Sequence, residues 1–300
     1  MSIWVCGEVL IDILPTGPVV GGGPANTAKA LARLGHDVQF IDGISTDEYG
    51  VAARKELLDD EVKLDLALTS DKPTCLAIVS LGADGGASYE FKIDGTATFD
   101  FGLNWLPDPS RHKPSVLHIG TLVTIIEPGA SVLYDWALQV AEFAPIVFDP
   151  NIRPSVQPDR DLYEAAVEKW AALSAVIKVS DDDLAWLFPG QSIDDVANRW
   201  ISDGVFLVVV TRGANGLVGF TADGRVEVPG VKVDVIDTVG AGDTVGAIVV
   251  EAMVAHGLIE LRGDLLRGVL TRAAAAAAIT CSRQGAQPPY KHELPSIEVK

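Results

Sequence analysis

Short apolar runs alternate with helix-like segments along most of the chain. The runs predict strands, and the segments in which apolar residues recur every three or four positions predict helices. The predicted strands are 3–11, 37–41, 115–119, 146–148, 175–178 and 206–210, with a hairpin at 216–228. The predicted helices are 25–34, 47–59, 129–143, 161–171, 182–187, 193–202, 243–256 and 264–282. Such alternation is typical of a doubly wound α/β fold with a mainly parallel sheet.

Residues 74–103 follow a different pattern. Apolar and polar positions alternate there, as in Tyr89-Glu90-Phe91-Lys92, and the turn sequence at 83–86 interrupts them. A period of two with a glycine turn predicts a β-hairpin with further extended chain. We therefore expect one domain over 1–300 with a β insertion at about 74–103. Tyr89 and Phe91 either stack on a ligand or fill the core of the insertion.

A glycine-rich turn and an acid mark the start of the helix predicted at 243–256. The turn contains Gly240, Ala241 and Gly242, and Asp243 follows it. The backbone N–H groups of this turn can converge at the positive end of the helix and hold a developing negative charge. There the helix dipole should keep Asp243 ionised, as a base for a substrate hydroxyl. The pattern suits phosphoryl transfer, although a capped helix alone gives the same local sequence.

A second glycine cluster, residues 21–26, precedes the helix predicted at 25–34. The strand predicted before it delivers Asp12 to its carboxyl end, where ligands bind in open α/β sheets. Asp12 and Asn26 can then bind sugar hydroxyls together. Pro24 interrupts any G-x-G-x-x-G pattern, and the sequence contains no G-x-x-x-x-G-K-[ST]. A dinucleotide fingerprint and a P-loop are therefore excluded.

Composition limits the partners. A net charge of −18 argues against a nucleic-acid partner, because no broad basic face can neutralise phosphates. The longest apolar run of note, 273–279, is too short to cross a membrane, and we expect no signal peptide. The three cysteines, at scattered spacings, predict reduced thiols in a cytoplasmic protein, without a disulfide frame or a metal box.

Taken together, the two glycine segments resemble the signatures of the ribokinase-like (PfkB) carbohydrate kinases. Three further segments match in family order, so the resemblance covers essentially the whole chain: 149–154, 208–216 and 282–288. The resemblance implies a ribokinase-like fold in which a small β-sheet forms a lid over the sugar. It also implies transfer of the γ-phosphoryl group of ATP to a primary hydroxyl of a sugar, with ATP and Mg²⁺ as cofactors. A monovalent cation and a homodimer through the lid are left open.

The resemblance also implies roles for individual residues. The catalytic group is Asp243 with Gly240, Ala241 and Gly242. The substrate would be bound by Asp12, Gly22, Gly23, Asn26, Tyr89, Phe91, Asn151 and Arg153. The nucleotide would be bound by Lys178, Ser180, Thr211, Gly213, Gly216 and Gly242.

One position departs from the family pattern. Where the family usually has Asn, two residues and Glu, this chain has Ser180 and Asp183. Both are chemically suited to organise water around Mg²⁺, and Asp183 is the predicted metal residue. Asp181 or Asp182 can take that place, or all three acids can cap the helix predicted at 182–187.

The substrate prediction depends on Asp149-Pro150-Asn151-Ile152-Arg153, which resembles the D-x-N-x-R segment of fructokinases and 2-keto-3-deoxygluconate kinases. Arg153 can hold a substrate carboxylate or the transferring phosphate. Segments 94–97 and 281–286 look more like fructokinase. We therefore predict a fructokinase, with a keto-deoxy-acid kinase as the alternative. A sugar- or nucleotide-binding regulator without turnover is a rival of another class.

Overall fold

The computed structural model describes residues 1–81 and 87–297, in which strands and helices alternate along the chain. The strands are β1 (Ile3–Cys6), β2 (Leu10–Leu14), β3 (Gly17–Gly21), β4 (Val38–Ile41), β5 (Gly43–Ser45), β6 (Leu68–Ser70), β7 (Leu76–Leu81), β8 (Ala87–Lys92), β9 (Val116–Gly120), β10 (Ile146–Asp149), β11 (Val176–Ser180), β12 (Leu207–Thr211), β13 (Leu217–Thr221) and β14 (Gly224–Val228). The helices are α1 (Gly23–Arg33), α2 (Glu48–Asp59), α3 (Pro109–His112), α4 (Gly129–Ala141), α5 (Arg160–Ala171), α6 (Asp181–Leu187), α7 (Ile193–Ser202), α8 (Ala241–His256) and α9 (Gly263–Cys281).

Eight strands form the main sheet, in the order β14-β13-β12-β11-β10-β9-β1-β4. The six strands from β12 to β4 in that order pair in parallel, and the hairpin β13–β14 adds two antiparallel strands at one edge. The central strands β1, β9 and β10 are buried along their whole length, as expected for a sheet covered on both faces. The predicted α/β fold with a mainly parallel sheet is confirmed.

The core lies on both faces of this sheet. In β1, Trp4 and Cys6 belong to one hydrophobic cluster, and Ile3 and Val5 belong to the other. The first cluster includes residues of α4, α5 and α7, and the second includes residues of α1, α8 and α9. Because six strands pair in parallel, their carboxyl ends lie at the same edge of the sheet, and the two helical layers hold them in place. The loops at this edge carry polar side chains. Among the described residues no helix is both long and apolar enough to cross a membrane.

A small four-stranded sheet, in the order β3-β2-β7-β8, covers part of that edge. The expected insertion supplies only β7 and β8, whereas β2 and β3 come from residues 10–21. The predicted turn at 83–86 lies outside the described residues. The short parallel pair of β5 and β6 was not predicted.

The prediction of one strand over 3–11 was wrong. β1 ends at Cys6, and the chain leaves the main sheet at Gly7, which has a φ of 147°. A Cβ on Gly7 would lie 2.3 Å from Pro24 Cγ, so both the backbone conformation and the packing require glycine. Asp12 therefore belongs to the small sheet and does not end a strand of the main sheet.

Candidate active site

A cavity of about 490 Å³, the first cavity, lies between the small sheet and the carboxyl ends of β1, β9 and β10. Residues of β2, β3 and β8 line it from the side of the small sheet. Residues that follow β1, β9 and β10 line it from the main sheet, as do the N-terminal residues of α1 and α8. The polar lining side chains include Glu8, Asp12, Asn26, Thr121, Asn151, Arg153, Lys178 and Asp243.

The N-terminus of α8 supplies the amide groups that the sequence predicted. Gly240 is the N-cap with a φ of 79°, and a Cβ there would lie 2.7 Å from the Cβ of Ala286. The N–H group of Ala241 donates to Thr238 O at 3.3 Å. Within the described part of the chain, the N–H groups of Gly242 and Asp243 have no protein acceptor. This arrangement leaves two first-turn donors for an anion.

Asp243 is fixed beside these donors and is 8% exposed. Asn26 Nδ2 of α1 donates to Asp243 Oδ2 at 2.9 Å, and Thr27 Oγ1 donates to its main-chain oxygen at 3.4 Å. Burial raises the pKa of Asp243 from 3.8 to about 6, although Lys178 and Asn26 both act in the opposite direction. The sequence predicts an ionised Asp243 from the helix dipole alone, whereas burial has the larger effect on its pKa in the structure.

A buried ion pair lies next to Gly242. Lys178 Nζ donates to Asp149 Oδ2 at 2.7 Å. A Cβ built on Gly242 would lie 2.9 Å from the same Nζ atom, so the ammonium group lies against the start of α8. Burial alone would lower the pKa of Lys178, but the carboxylates of Asp149, Asp243 and Asp183 outweigh it and hold that pKa above its usual value. A fixed positive charge therefore lies beside the two free amide groups.

Ser180 and Asp183 form a capping box at the start of α6. Ser180 Oγ accepts from Asp183 N at 3.0 Å, and Asp183 Oδ2 accepts from Ser180 N at 3.2 Å. Asp183 Oδ1 accepts from Ile152 N at 3.0 Å, so backbone donors occupy both carboxylate oxygens. Of the three acids that the sequence offered as caps, Asp183 forms a capping box with Ser180, and its role toward a metal stays a prediction.

Asp149 offers an oxygen that Asp183 does not. Its Oδ1 is buried without a hydrogen-bond partner, while Oδ2 accepts from Lys178. Among the described residues no group of three or more His, Cys, Asp or Glu side chains can hold a metal. Mg²⁺ needs no such group, because it commonly takes one or two carboxylates together with phosphates and water. The unpartnered oxygen of Asp149 therefore suits an ion that arrives with a nucleotide better than the capped Asp183 does, although neither residue lines either cavity.

A second cavity, of about 940 Å³, lies on the other side of the α8 N-terminus. The predicted nucleotide residues Thr211, Gly213, Gly216 and Gly242 line it. Its walls are largely apolar, from Val231, Val233, Val235, Ala274, Ala277 and Ala278. Thr238 and Gly242 line both cavities. Lys178 lines only the first cavity, and Ser180 lines neither of them.

The first cavity brings together most of the predicted substrate residues. Its lining includes Asp12, Gly22, Gly23, Asn26, Phe91, Asn151 and Arg153. The side chain of Tyr89 lies outside the described residues, and its backbone is part of β8. Arg153 Nη1 donates to the main-chain oxygens of Asn151 and Ile152 at 3.2 and 2.9 Å. Burial raises the pKa of Asp12 to about 6, and Arg153 opposes this shift.

Sequence reasoning missed Glu8 and Thr121. Glu8 follows β1, is 3% exposed and lines the first cavity. The hydroxyl of Thr121, in the loop after β9, donates to Glu8 Oε1. Burial raises the pKa of Glu8 to about 7, against the effect of the Thr121 hydrogen bond. The available signal was an acidic residue placed directly after an apolar strand and a glycine.

Comparison with known proteins agrees with this geometry. The model of the pfkB family carbohydrate kinases matches residues 16–293. A fructokinase of Rhizobium leguminosarum bv. trifolii is 35% identical over 269 residues, covering 87% of this chain and 82% of the relative. Fructokinase-2 of Zea mays is 33% identical over 300 residues, covering 94% of this chain and 89% of the relative.

Solved structures lead to the same family. The structure of fructokinase from Xylella fastidiosa with bound ATP has a TM-score of 0.87 and 26% identity, with 98% of this chain and 95% of that chain covered. The predicted ribokinase-like fold is thus confirmed. The chain belongs to the pfkB family of carbohydrate kinases.

Proposed function

We propose that this protein is an ATP-dependent fructokinase, which transfers the γ-phosphoryl group of ATP to a primary hydroxyl of fructose. One observation carries the proposal: the first and second cavities meet at the N-terminus of α8, where Gly242 lines both. A sugar in the first cavity and ATP in the second would therefore direct their reacting atoms toward the same free amide groups. The fructokinase relatives and the structure of a fructokinase with bound ATP support fructose and ATP as the two substrates.

Asp243 acts as the base in this arrangement. The sugar hydroxyl oxygen forms a bond to the γ-phosphorus, its proton passes to the Asp243 carboxylate, and the bond to the β–γ bridging oxygen breaks to release ADP. With a pKa of about 6, Asp243 is mainly ionised at pH 7, and Asn26 fixes its orientation. The N–H groups of Gly242 and Asp243 stabilise the charge that develops on the transferring group.

Mg²⁺ would be held near Asp149, with the capped Asp183 beside it. When bound, the ion neutralises charge on the phosphates, which this acidic protein otherwise opposes. A fructokinase of Vibrio cholerae O395 has been solved with fructose, ADP and a calcium ion, and a double mutant of it with a potassium ion. We therefore propose that a divalent cation, Mg²⁺, activates the reaction. Measuring ADP release at increasing potassium concentration tests whether a monovalent cation activates it as well.

The charges around the first cavity favour a neutral sugar over a sugar acid. Its lining contains the carboxyl groups of Glu8, Asp12, Asp237 and Asp243 and the cations Arg153 and Lys178. Lys178 is already paired with Asp149, and among the described residues Arg153 has no carboxylate partner within hydrogen-bond distance. A substrate carboxylate would meet net negative charge. Neutral fructose avoids that repulsion and can donate hydroxyl hydrogen bonds to the acids.

A coupled assay of ADP release with a panel of sugars tests this function. Fructose should give the highest kcat/KM, ahead of 2-keto-3-deoxygluconate and ribose. A higher kcat/KM with 2-keto-3-deoxygluconate would assign a keto-deoxy-acid kinase, for which Arg153 would hold the carboxylate. Tight binding of a sugar or of ATP without ADP release would identify the regulator instead.

Location and assembly follow as secondary proposals. The thiols of Cys6, Cys75 and Cys281 are free, as expected for a protein of the reducing cytoplasm. A homodimer would form through the small sheet, because its edge strands β3 and β8 pair with no further strand among the described residues. The mass in solution, measured by light scattering with and without charged substitutions on the small sheet, tests this assembly.

A further inference from the structure

Glu8 lines the first cavity on the side of the main sheet. It follows β1 and lies next to the end of the neighbouring β9, whose loop supplies Thr121. Gly22, in the first glycine signature, packs against it, since a Cβ on Gly22 would lie 2.3 Å from the main-chain oxygen of Glu8. The main chain of Glu8 therefore lies between the end of the sheet and the start of α1, and Thr121 holds its carboxyl group.

One oxygen of this carboxyl group has no hydrogen-bond partner in the part of the chain that the structure describes. Thr121 donates to Oε1, but Oε2 is buried without a hydrogen bond. Burying an unpaired oxygen of a carboxyl group is unfavourable, and native structures rarely keep one without a reason. Glu8 lines the first cavity, so a ligand there lies next to this residue, and a small rotation of the side chain would expose the buried oxygen to it.

Asp42 shows what a structural carboxylate looks like in the same region. It is fully buried, and it accepts from Val9 N at 2.8 Å, from Gly43 N at 2.8 Å and from Thr98 Oγ1 at 3.1 Å. Both of its oxygens are satisfied by the protein, and it does not line the first cavity. Glu8 differs in both respects, which separates a ligand-binding role from a purely structural one.

Thr121 adds a second observation. It has a φ of 62°, a left-handed conformation that β-branched residues rarely adopt. Its hydroxyl bonds Glu8, and its side chain packs beside Gly23, where a Cβ would lie 3.0 Å from Thr121 Cγ2. The unusual backbone of Thr121 thus places the hydroxyl that orients Glu8, at the edge of the cavity.

We propose that Glu8 binds a hydroxyl group of the sugar through its Oε2 atom, with Thr121 orienting the carboxyl group. This inference depends on the proposed function, since it assigns a further substrate contact in the same cavity. It adds a binding residue to the early signature, in which the sequence had indicated only Asp12, Gly22, Gly23 and Asn26. Glu8 contacts a hydroxyl other than the one that is phosphorylated, because the proton of the reacting hydroxyl passes to Asp243.

The test is a double-mutant cycle between Glu8 and the sugar. KM for fructose and KM for ATP are measured for the unmodified enzyme, Glu8→Ala and Glu8→Gln, each with fructose and with fructoses that lack one non-reacting hydroxyl. Loss of a hydrogen bond to a charged group should raise the KM for fructose roughly 10- to 100-fold in Glu8→Ala and leave the KM for ATP unchanged. Glu8→Gln keeps an acceptor oxygen and should lose less.

The decisive result is the coupling. One deoxy analogue should be a poorer substrate for the unmodified enzyme, whereas Glu8→Ala should not distinguish that analogue from fructose. Asp42→Asn is the matched control: it should lower the melting temperature and show no coupling to any analogue. If no analogue couples to Glu8, the proposal is overturned, even if Glu8→Ala is less stable or less active.

Failure of the proposed function gives a different result. An unmodified enzyme that does not phosphorylate fructose would contradict the fructokinase assignment, whatever the Glu8 variants do. The same cycle is then measured by calorimetry with the sugar of the panel that binds. A folded Glu8→Gln variant, verified by its melting curve, keeps the test valid if Glu8→Ala does not fold.

Discussion

Replacement of Asp243 by asparagine should have opposite effects on activity and stability. The side chain is almost fully buried, and Asn26 holds one of its oxygens. Asparagine has nearly the same shape and keeps an oxygen for the Asn26 hydrogen bond, so the fold should be preserved. It cannot take up the proton of the sugar hydroxyl. A correctly placed general base is typically worth about 10²- to 10⁴-fold, and kcat should fall by that factor.

The stability change follows from the pKa. Burial raises the pKa of Asp243 from 3.8 to about 6, so the folded protein binds this proton more tightly than the unfolded chain. Stability is therefore lost as the pH rises from 4 to 6, and the ionised group costs roughly 3 kcal/mol at pH 7. The pKa of about 6 already includes the attraction of Lys178, which favours the ionised form of Asp243. Asp243→Asn should be more stable than the unmodified protein by about 1 to 3 kcal/mol at pH 7.

Two measurements check this reasoning. Denaturant unfolding at pH 7 and at pH 5 should show an advantage of Asp243→Asn that shrinks at the lower pH. Coupled ADP release gives kcat, and Asp161→Asn is a matched control because Asp161 is an exposed acid in the first turn of α5. A variant that keeps more than half of the original kcat would exclude Asp243 as the base. A variant that is less stable at pH 7 would refute the account based on burial.

The remaining predictions concern the same two cavities. The kcat/KM of the unmodified enzyme should fall tenfold per pH unit below about pH 6, because Asp243 must be ionised in the free enzyme, and a flat profile down to pH 5 would contradict this. Gly242→Val should fold but lose at least about tenfold in kcat, because its Cβ displaces the flexible end of Lys178 and its methyl groups crowd the free amide groups. An unchanged kcat would mean that the glycine turn serves only as a helix cap. Asp12→Ala should raise the KM for the sugar about 10- to 100-fold and leave the KM for ATP unchanged, which initial rates at varied sugar and ATP will decide.

Much of the fold was predictable, since long elements have strong periodicity. α8 and α9 were predicted within two residues of their observed bounds, and the glycine turn before α8 was placed correctly. The break between β1 and β2 was not predicted because the segments on both sides of Gly7 and Glu8 are apolar, so the whole stretch was taken as one strand. The cause is tertiary, since Pro24 of α1 packs against Gly7.

Part of the site was hidden for a similar reason. Ser180 and Asp183 satisfy a local capping pattern, and the structure uses them for that pattern, whereas their role toward a metal remains a prediction. Asp149 was noted only as part of a resembling segment. Its ion pair with Lys178 joins strands β10 and β11, and no spacing along the chain indicates such a contact.

Several residues of the candidate site are held by the fold in unfavourable states, both those that the sequence predicted, Asp12, Asn151 and Asp243, and those that it missed, Glu8 and Thr121. Glu8, Asp12 and Asp243 all have pKa values raised by burial, and all line the first cavity. Thr121 and Asn151 line it too, with φ values of 62° and 41° that residues other than glycine rarely adopt. Each of these features is unfavourable for folding and positions a group toward the cavity. Local sequence preferences describe what stabilises a segment by itself. They are therefore least informative about these site residues, because the buried strands and α8 stabilise the fold enough to hold such groups in place.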